Sequence, residues 1–459
     1  WLFSLTDAPD QKDNSFNDKD WRTLDLPHDW SIEGRLSPTL ASCTGYLPAG
    51  IGWYRKHFTV NDDAPRHYIY FEGVYNRSEV YLNGQLLGKR PNGYVSFMYD
   101  LTPYLKDGEN VLAVRVDHSR YADSRWYTGS GIYRDVWLVS APETHFSLWG
   151  VGWHAKSITE KQATVSVDME IQKHMAVQSK LEVKASLYDA GNNLVASRTV
   201  TVNDREAGLS KVETELRVKN PHLWTLDEPY LYTLETDILS DGQKIDGSKT
   251  RVGLRTLTFD ADKGFALNGD WMKIKGVCLH HDAGVLGAVV PQEVWRRRLE
   301  NLKAIGTNAI RMSHNPQAPV LYDLCDEMGL LVMDEVSDEW EFPKRKWIEG
   351  WNVGTPSYDG SFDFFEEWIE KDITDMVRRD RNHTSIFLWS IGNEVDYPND
   401  PYSHPILNSS GINQPMFGGY NPDRQDSQET RCLRTRRRYF ASDHRSTCRS
   451  GNVQRNRVS

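Results

Sequence analysis

Hydrophobic and polar residues alternate with a period of two through much of the first 257 positions, which predicts half-buried β-strands. In residues 1–141 such strands are predicted at Tyr68–Val74, Glu79–Leu82 and Asn110–Val116. The dipeptide Asn83-Gly84 suits a type I′ hairpin turn, because both residues tolerate a positive φ. Short strands separated by turn residues predict a β-sandwich in this segment.

One loop interrupts the first sandwich before its last predicted strand, Ile132–Val139. This loop, Ser124–Gly129, contains adjacent aromatic residues, Trp126 and Tyr127. Aromatic faces stack on the C–H faces of sugars, so the pair could contact a carbohydrate. The same rings could equally anchor their own loop, and the sequence leaves both readings open.

Residues 142–257 continue as alternating strands, which predicts a second sandwich. Its clearest strands are Ala163–Ile171 and Lys180–Tyr188, and Gly191–Asn193 supplies the turn after the second. Because no cluster of titratable residues stands out, we interpret this domain as a structural spacer.

From residue 258 the pattern changes to apolar strands that alternate with amphipathic helices. Strands are predicted at Met272–Leu279, Asn308–Met312, Leu330–Asp334 and Ser385–Ile391, and helices at Pro291–Ile305, Pro319–Met328 and Phe362–Arg379. This order predicts parallel strands with helical crossovers and best fits half of a (β/α)8 TIM barrel at residues 258–423. A doubly wound sheet is the alternative, but no glycine-rich phosphate turn follows a strand.

Residues 424–459 differ in character from everything before them. They contain ten Arg, no Lys and three acidic residues, and carry a formal charge of +7, leaving −17 on residues 1–423. A basic arm that binds nucleic acid or membrane is one interpretation. Total absence of Lys beside ten Arg favours a segment outside the fold instead, either disordered or translated out of frame.

Composition is that of a globular protein, with 39% hydrophobic and 26% charged residues. The net charge of −10 argues against nucleic acid as a partner. The sequence contains no run of 18 apolar residues, so no membrane span is predicted. The five Cys form no CxxC pair, which disfavours a metal ribbon or a disulfide framework. The chain starts at Trp1 without a leader, so periplasmic, secreted and cytoplasmic locations all stay open.

Polar residues stand at the carboxyl ends of all four predicted barrel strands, where such barrels place their catalytic groups. In chain order they are His280-His281-Asp282, Arg311 with Ser313-His314-Asn315, Asp334-Glu335 with Asp338 and Glu339, and Asn393-Glu394. Glycoside hydrolysis needs two carboxyl groups in different environments, one protonated and one ionised. Neither a GxSxG elbow nor an HExxH spacing occurs, so carboxylate chemistry on a sugar is favoured.

Three stretches carry a resemblance to a known family. The stretch from Asp380 to Glu394 (DRNHTSIFLWSIGNE) resembles the acid/base motif of glycoside hydrolase family 2. Asn308–Pro316 (NAIRMSHNP), continuing to Cys325–Glu327, is similar to the other motif of that family, and Ser130–Val136 resembles its sugar-binding sandwich. The resemblance covers residues 1–423 and implies a jelly-roll, galactose-binding-like sandwich, then an immunoglobulin-like sandwich, then the TIM barrel. It further implies a retaining, β-galactosidase-like hydrolase of terminal β-linked sugars. β-Glucuronidase or another β-glycosidase of the family is the alternative, and a non-catalytic carbohydrate-binding protein is a second.

The resemblance also implies roles for individual residues. Glu394 corresponds to the acid/base, Asn393 to the residue that hydrogen-bonds the sugar 2-hydroxyl, and Arg311 to the arginine beside the nucleophile. His280 and His314 correspond to histidines that contact the sugar. We add Glu335 and Trp126 as substrate-binding candidates, from their places at a strand end and in the aromatic loop.

The resemblance further implies a second Glu, the nucleophile, at the end of barrel strand seven. The barrel pattern stops after strand four, and the tail offers only Asp426, Glu429 and Asp443, none at a strand end. We therefore expect the 459-residue chain to be inactive, with its barrel half poorly folded.

The sequence requires no cofactor. Glu339 lies where some β-galactosidases carry a magnesium ligand, but Glu341 stands in place of the companion histidine, so no firm metal site is predicted. The expected partner is a carbohydrate, with no nucleic acid and no membrane, and the sequence leaves an oligomer open.

Overall fold

A computed structural model describes residues 1–340, 343–350 and 353–395, and the backbone of residues 454–457. Two β-sandwiches are followed by a parallel sheet flanked by helices, which confirms the predicted fold class. The first sandwich contains β1 (Leu2–Ser4), β2 (Arg22–Thr23), β3 (Gly50–Phe58), β4 (Arg66–Phe71), β5 (Ser78–Leu82), β6 (Gln85–Arg90), β7 (Phe97–Asp100), β8 (Asn110–His118) and β9 (Val136–Ala141).

The two sheets of this sandwich are antiparallel. One has the order β2-β1-β3-β8-β5-β6, and the other contains β9-β4-β7. Alternate residues such as Phe71, Val80 and Leu112 fill the space between them. Asn83 and Gly84 both have positive φ values, +53° and +84°, and join β5 to β6 as the hairpin prediction requires.

The last strand of the sandwich begins at Val136, four residues later than predicted. The carbonyl of Ile132 instead accepts a hydrogen bond from the backbone N–H of His28. The segment before Val136 therefore pairs with a loop rather than with a sheet.

The second sandwich contains β10 (Thr144–Ile158), β11 (Gln162–Lys173), β12 (Leu181–Tyr188), β13 (Leu194–Thr201), β14 (Gly208–Lys219), β15 (Tyr232–Ser240) and β16 (Gln243–Val252). Its sheets have the orders β10-β11-β14 and β13-β12-β15-β16. Inward residues that alternate along the strands, among them Val165, Val167, Val183 and Leu187, form its core.

A small antiparallel sheet that the sequence reading missed follows this sandwich. It consists of β17 (Leu257–Asp260), β18 (Gly264–Leu267) and β19 (Asp270–Met272). The single predicted strand Met272–Leu279 is therefore confirmed only at Gly276–Leu279, because Met272 pairs with Phe265 in this small sheet. Asn268-Gly269, with φ values of +54° and +90°, is a hairpin turn of the same kind as Asn83-Gly84 and was the available signal.

The barrel part contains β20 (Gly276–Leu279), α1 (Gln292–Ala304), β21 (Ala309–Met312), α2 (Pro319–Met328), β22 (Leu331–Glu335), β23 (Lys346–Trp347), β24 (Pro356–Ser357), α3 (Phe365–Asp380) and β25 (Ile386–Ser390). Its parallel strands have the sequential order β20-β21-β22-β25. In a doubly wound sheet, successive strands are added first on one side of the starting strand and then on the other. The sequential order seen here has no such reversal and supports the barrel interpretation. Helix α3 begins three residues later than predicted, because Ser361–Phe364 form a 3-10 turn.

Buried ion pairs fix the first sandwich against the barrel. Arg90, at the end of β6, donates to Asp372 at 2.5 Å and to Asp375 at 2.8 Å, and both acids lie on α3. From the loop before β9, Arg134 donates to the carbonyl of Pro316 at 3.0 Å. These contacts place the loop Ser124–Gly129 over the carboxyl ends of the barrel strands.

The predicted tail lies outside the described residues except for β26 (Gln454–Arg457), which pairs antiparallel with β9. Those four residues form a strand, whereas the prediction was a segment outside the fold. The pairing is possible because the edge of β9 offers unpaired backbone groups to an extended chain. In the described part, no helix has the length and apolar character needed to cross a membrane. The boundaries at 141, 257 and 423 stay predictions.

Candidate active site

Glu335, the last residue of β22, is the centre of the polar network at the strand ends. Its side chain is fully buried and accepts hydrogen bonds from Arg311 Nη2 at 2.7 Å, His314 Nδ1 at 2.6 Å and Ser390 Oγ at 2.7 Å. Burial alone would raise the pKa of this carboxyl, but the donors from His314, Ser390 and Arg311 outweigh it and lower the pKa. Glu335 is therefore an anion that holds three strand ends together.

Asn393 connects this network to a second carboxylate. Its Oδ1 accepts from Arg311 Nη2 at 2.8 Å, and its Nδ2 donates to Asp338 Oδ1 at 2.8 Å. Asp338 is buried, yet its pKa is well below the ordinary value, because Lys344 and Arg125 outweigh the effect of burial. The sequence reading named Asp338 as a polar neighbour but assigned it no role.

Glu394 follows Asn393 and differs from Glu335 in exposure. Its side chain is 41% exposed, and Oε2 accepts from Arg125 Nη2 at 2.8 Å and lies 3.2 Å from Lys344 Nζ. Burial tends to raise its pKa, but Arg125 and Lys344 lower it overall. The backbone of Glu394 has a φ of +48°, a left-handed conformation that costs about 1–2 kcal/mol in a non-glycine residue. Such strain is common at functional sites.

An aromatic side chain, Trp126, packs beside this network. Trp126 stacks on His280 with ring centroids 4.7 Å apart and forms a T-shaped pair with His314, with ring centroids 5.5 Å apart. Its indole N–H donates to Tyr94 OH at 3.0 Å, whereas Tyr127 turns away to donate to Asp29. The anchoring alternative therefore applies to Tyr127, and Trp126 lies among the predicted site residues.

His280 is neutral at physiological pH. Burial, reinforced by the neighbouring His314, lowers its pKa to about 4. Its Nδ1 is buried and has no hydrogen-bond partner within the described residues. A neutral imidazole with an unused nitrogen is suited to a sugar hydroxyl, which both donates and accepts.

The residues around Glu339 do not fit a magnesium ion. Its carboxylate accepts from Lys346 Nζ and from the backbone N–H of Lys344, and Lys346 is fully buried. An ammonium group thus occupies the place in which a cation would bind. No group of three His, Cys, Asp or Glu suited to a metal occurs in the part of the chain that the structure describes. Glu341, the other residue considered for this site, lies outside it.

The structure brings all the predicted site residues to one end of the sheet and adds three that the sequence reading did not select. Arg125 lies next to Trp126 in the loop that was singled out, and Asp338 follows β22 closely. Lys344 had a weaker signal, the basic run Pro343–Lys346 beside the acidic pair Asp338-Glu339. Within residues 1–395 as described, we assign no nucleophile, since Glu335 and Asp338 are buried and their oxygens accept hydrogen bonds from neighbouring side chains. Asp426, Glu429 and Asp443 lie outside the described residues.

Three family models match consecutive parts of the chain. They are the sugar-binding domain of glycosyl hydrolases family 2 at residues 1–142, the glycosyl hydrolases family 2 domain at 147–255, and the family 2 TIM barrel domain at 261–406. Their order is that of the two sandwiches and the barrel sheet.

Individual relatives agree with these matches. A β-galactosidase of Bacteroides ovatus, BoGH2A, is 48% identical over 401 residues, covering 86% of this chain and 46% of its own. A β-glucuronidase of Formosa agariphila is 30% identical over 423 residues, covering 86% of this chain and 41% of its own. The crystal structure of a family 2 member from Bacteroides cellulosilyticus superposes with a TM-score of 0.80 at 34% identity, over 89% of this chain and 52% of its own.

The chain thus spans about half the length of the proteins that it matches. The matched domains are those of family 2 glycosyl hydrolases, and the first of them is described as a sugar-binding domain. The three consecutive matches, together with the fold and the site, show that the chain belongs to family 2 of the glycosyl hydrolases.

Proposed function

We propose that the complete protein is a retaining, β-galactosidase-like glycosidase in which Glu394 is the acid/base. The observation that carries the proposal is the arrangement of Glu394 and Asn393 at the end of β25, joined through Arg311 to Glu335 at the end of β22. Polar groups at the carboxyl ends of barrel strands are where this fold builds active sites. The nucleophilic carboxylate is proposed to lie outside the described residues.

The reaction then has two steps. The nucleophile forms a bond to the anomeric carbon while the glycosidic C–O bond breaks, and Glu394 gives its proton to the leaving oxygen. In the second step water attacks the anomeric carbon, Glu394 takes its proton, and the nucleophile is released. Glu394 is exposed enough to reach the leaving group and the water, whereas the buried Glu335 is not.

The first step needs Glu394 protonated, although Arg125 and Lys344 favour its anion. An ionised nucleophile about 5–5.5 Å away would oppose them. Repulsion between the two like charges raises the pKa of Glu394 and so favours its protonated form. Protonation of Glu394 therefore depends on the second carboxylate.

The remaining site residues are proposed to bind the sugar. Asn393 presents its amide to the 2-hydroxyl, a contact expected to strengthen in the transition state. His280 and His314 contact other hydroxyls, and Trp126 stacks on an apolar face of the ring. Arg311 and Glu335 hold Asn393 and His314 in place through the bonds described above.

The test is hydrolysis by the complete protein. We expect cleavage of aryl β-galactosides, with the β-anomer of galactose appearing first in an NMR time course, as retention requires. Glu394→Gln, assayed on an alkyl β-galactoside whose leaving group needs the proton, serves as the matched inactive control. Appearance of the α-anomer first would exclude the retaining mechanism.

The substrate is tested by comparing kcat/KM for aryl β-galactosides and aryl β-glucuronides with the same aglycone. Similarity to BoGH2A favours the galactoside. A preference for the glucuronide would move the protein to the alternative within the family. Sugar binding without hydrolysis of any β-glycoside would show a carbohydrate-binding protein instead.

A further inference from the structure

Two buried lysines project from the segment Pro343–Gly350, which follows β22. Lys344 Nζ donates to the carbonyl of Asp338 at 2.5 Å and its Oδ1 at 2.9 Å, and to the carbonyl of Asn393 at 3.0 Å. It also lies 3.2 Å from Glu394 Oε2. One ammonium group thus contacts both residues at the end of β25 and the carboxylate that binds Asn393.

The first sandwich holds this segment in place. Ser42 donates from its backbone N–H to the carbonyl of Ile348 at 2.7 Å and from Oγ to the carbonyl of Trp347 at 3.0 Å. Tyr46 OH donates to the carbonyl of Glu349 at 3.3 Å. Contacts from a different domain therefore fix the backbone that carries Lys344.

We propose that Lys344 is a positioning residue for the acid/base, delivered to Glu394 by the loop Ser42–Tyr46 of the first sandwich. The inference rests on the proposed function, because it assigns Glu394 the proton transfers. Lys344 holds the Asn393-Glu394 turn from its backbone side and supplies a positive charge to the Glu394 carboxylate.

The neighbours of Lys344 indicate more than a structural ion pair. Asp338 already has a cation in Arg125 at 3.1 Å and a donor in Asn393, so a neutral donor would have sufficed there. Burying an ammonium group is costly, and this one donates twice to Asp338 and once to the carbonyl of Asn393, beside the Glu394 carboxylate. Several charged and titratable groups face Glu394 and Asp338: Arg125 from the sandwich, His280 after β20, His314 after β21, Glu339 after β22, and Lys344 itself.

Lys346 provides a matched control. It is a lysine of the same segment, equally buried, but its ammonium pairs with Glu339 and not with Glu394. Loss of either lysine leaves a buried carboxylate with fewer partners, so general damage to the segment should appear in both variants. An effect on Glu394 should appear only when Lys344 is replaced.

The experiment compares Lys344→Met, Lys344→Arg and Lys346→Met in the complete protein. The alkaline limb of kcat/KM reports the acid that must be protonated in the free enzyme. Removing a cation at this distance should move that limb upward by about one pH unit in Lys344→Met. Lys344→Arg should keep the limb near the wild-type position, and Lys346→Met should not move it. An unmoved limb in Lys344→Met, or equal shifts in both Met variants, overturns the proposal.

A second measurement covers a variant that is inactive or unstable. Lys344→Gln, which keeps a donor, is titrated by 13C NMR with labelled Glu, using Glu394→Gln to assign the resonance. An unchanged Glu394 pKa in Lys344→Gln would also overturn the proposal. Failure of the proposed function is distinct, because Glu394→Gln would then retain wild-type hydrolysis whatever Lys344 does.

Discussion

Arg125 Nη2 donates a hydrogen bond to Glu394 Oε2 at 2.8 Å across 269 positions of the chain. Arg125 belongs to the first sandwich and Glu394 to the end of the fourth barrel strand. The sugar-binding domain therefore contributes a charge directly to the proposed acid/base. This contact depends on the buried pairs that fix the sandwich to α3.

We predict that Arg125→Gln lowers kcat/KM for an alkyl β-glycoside by about 10- to 100-fold. A hydrogen bond to a charged group contributes about 1.5–3 kcal/mol, and its loss frees the Glu394 side chain to take other positions. The measurement is kcat/KM in the complete protein. Arg120→Gln, which removes an exposed arginine from the same region, is the control. Equal rates for wild type and Arg125→Gln would contradict the prediction.

The Glu335 network should contribute strongly to stability. We predict that Glu335→Gln lowers the free energy of unfolding by about 3 kcal/mol at pH 7, because Arg311 loses a buried partner. The folded-state pKa of Glu335 is lowered, so its contribution is present above the unfolded pKa of about 4.3. It is lost as pH falls through the lower, folded value.

Urea unfolding from pH 8 down to pH 3.5 measures this contribution. The difference between wild type and Glu335→Gln should stay constant down to about pH 5 and shrink below about pH 4. Glu327→Gln, which breaks a more exposed pair with Arg251, should cost less than about 1 kcal/mol. A difference that does not change with pH would show that the charge of Glu335 is not responsible.

His383 supplies a pH dependence of the opposite sign. It lies just before β25 and donates to Asp326 of α2 at 2.7 Å, and despite its burial, Asp326 raises its pKa to about 9. The stabilisation is complete below the unfolded pKa of about 6.5 and is lost as pH rises through 9. We predict that wild type loses up to about 3 kcal/mol relative to His383→Gln between pH 6.5 and 9.5, measured by urea unfolding. Parallel curves would contradict this.

Asn393 can be tested through its proposed partner on the sugar. Wild type should cleave a 2-deoxy β-glycoside with a kcat/KM at least about 100-fold lower than the parent, since the transition-state contact contributes several kcal/mol. In Asn393→Ala the parent β-glycoside should lose most of its higher kcat/KM, so that it and the 2-deoxy analogue react at similar rates. A preserved preference for the 2-hydroxyl in Asn393→Ala would assign that contact to another residue.

The fold was predictable because its signals are local. Period-two strands and the Asn83-Gly84 turn each act within a few residues, and the structure confirms them. The small sheet β17–β19 was missed because its strands are only three or four residues long, too short for a clear period. The prediction of one continuous strand at Met272–Leu279 failed for the same reason, since two short strands of different sheets follow each other there.

The site was predictable only where strands end. Glu335, Asn393 and Glu394 follow apolar runs, so their convergence follows from parallel strands. Arg125 and Lys344 come from loops, and their contacts with Glu394 depend on how the first sandwich docks. No period or spacing in the sequence encodes that docking.

The central claim is that Glu394 transfers the proton, and leaving-group dependence tests it most directly. In Glu394→Gln of the complete protein, substrates with activated phenol leaving groups need no proton for the first step, whereas alkyl glycosides do. The account predicts that kcat/KM for alkyl β-glycosides falls by at least about 100-fold and that the value for dinitrophenyl β-glycosides falls much less. Equal losses for both classes of leaving group, or none for either, would contradict it.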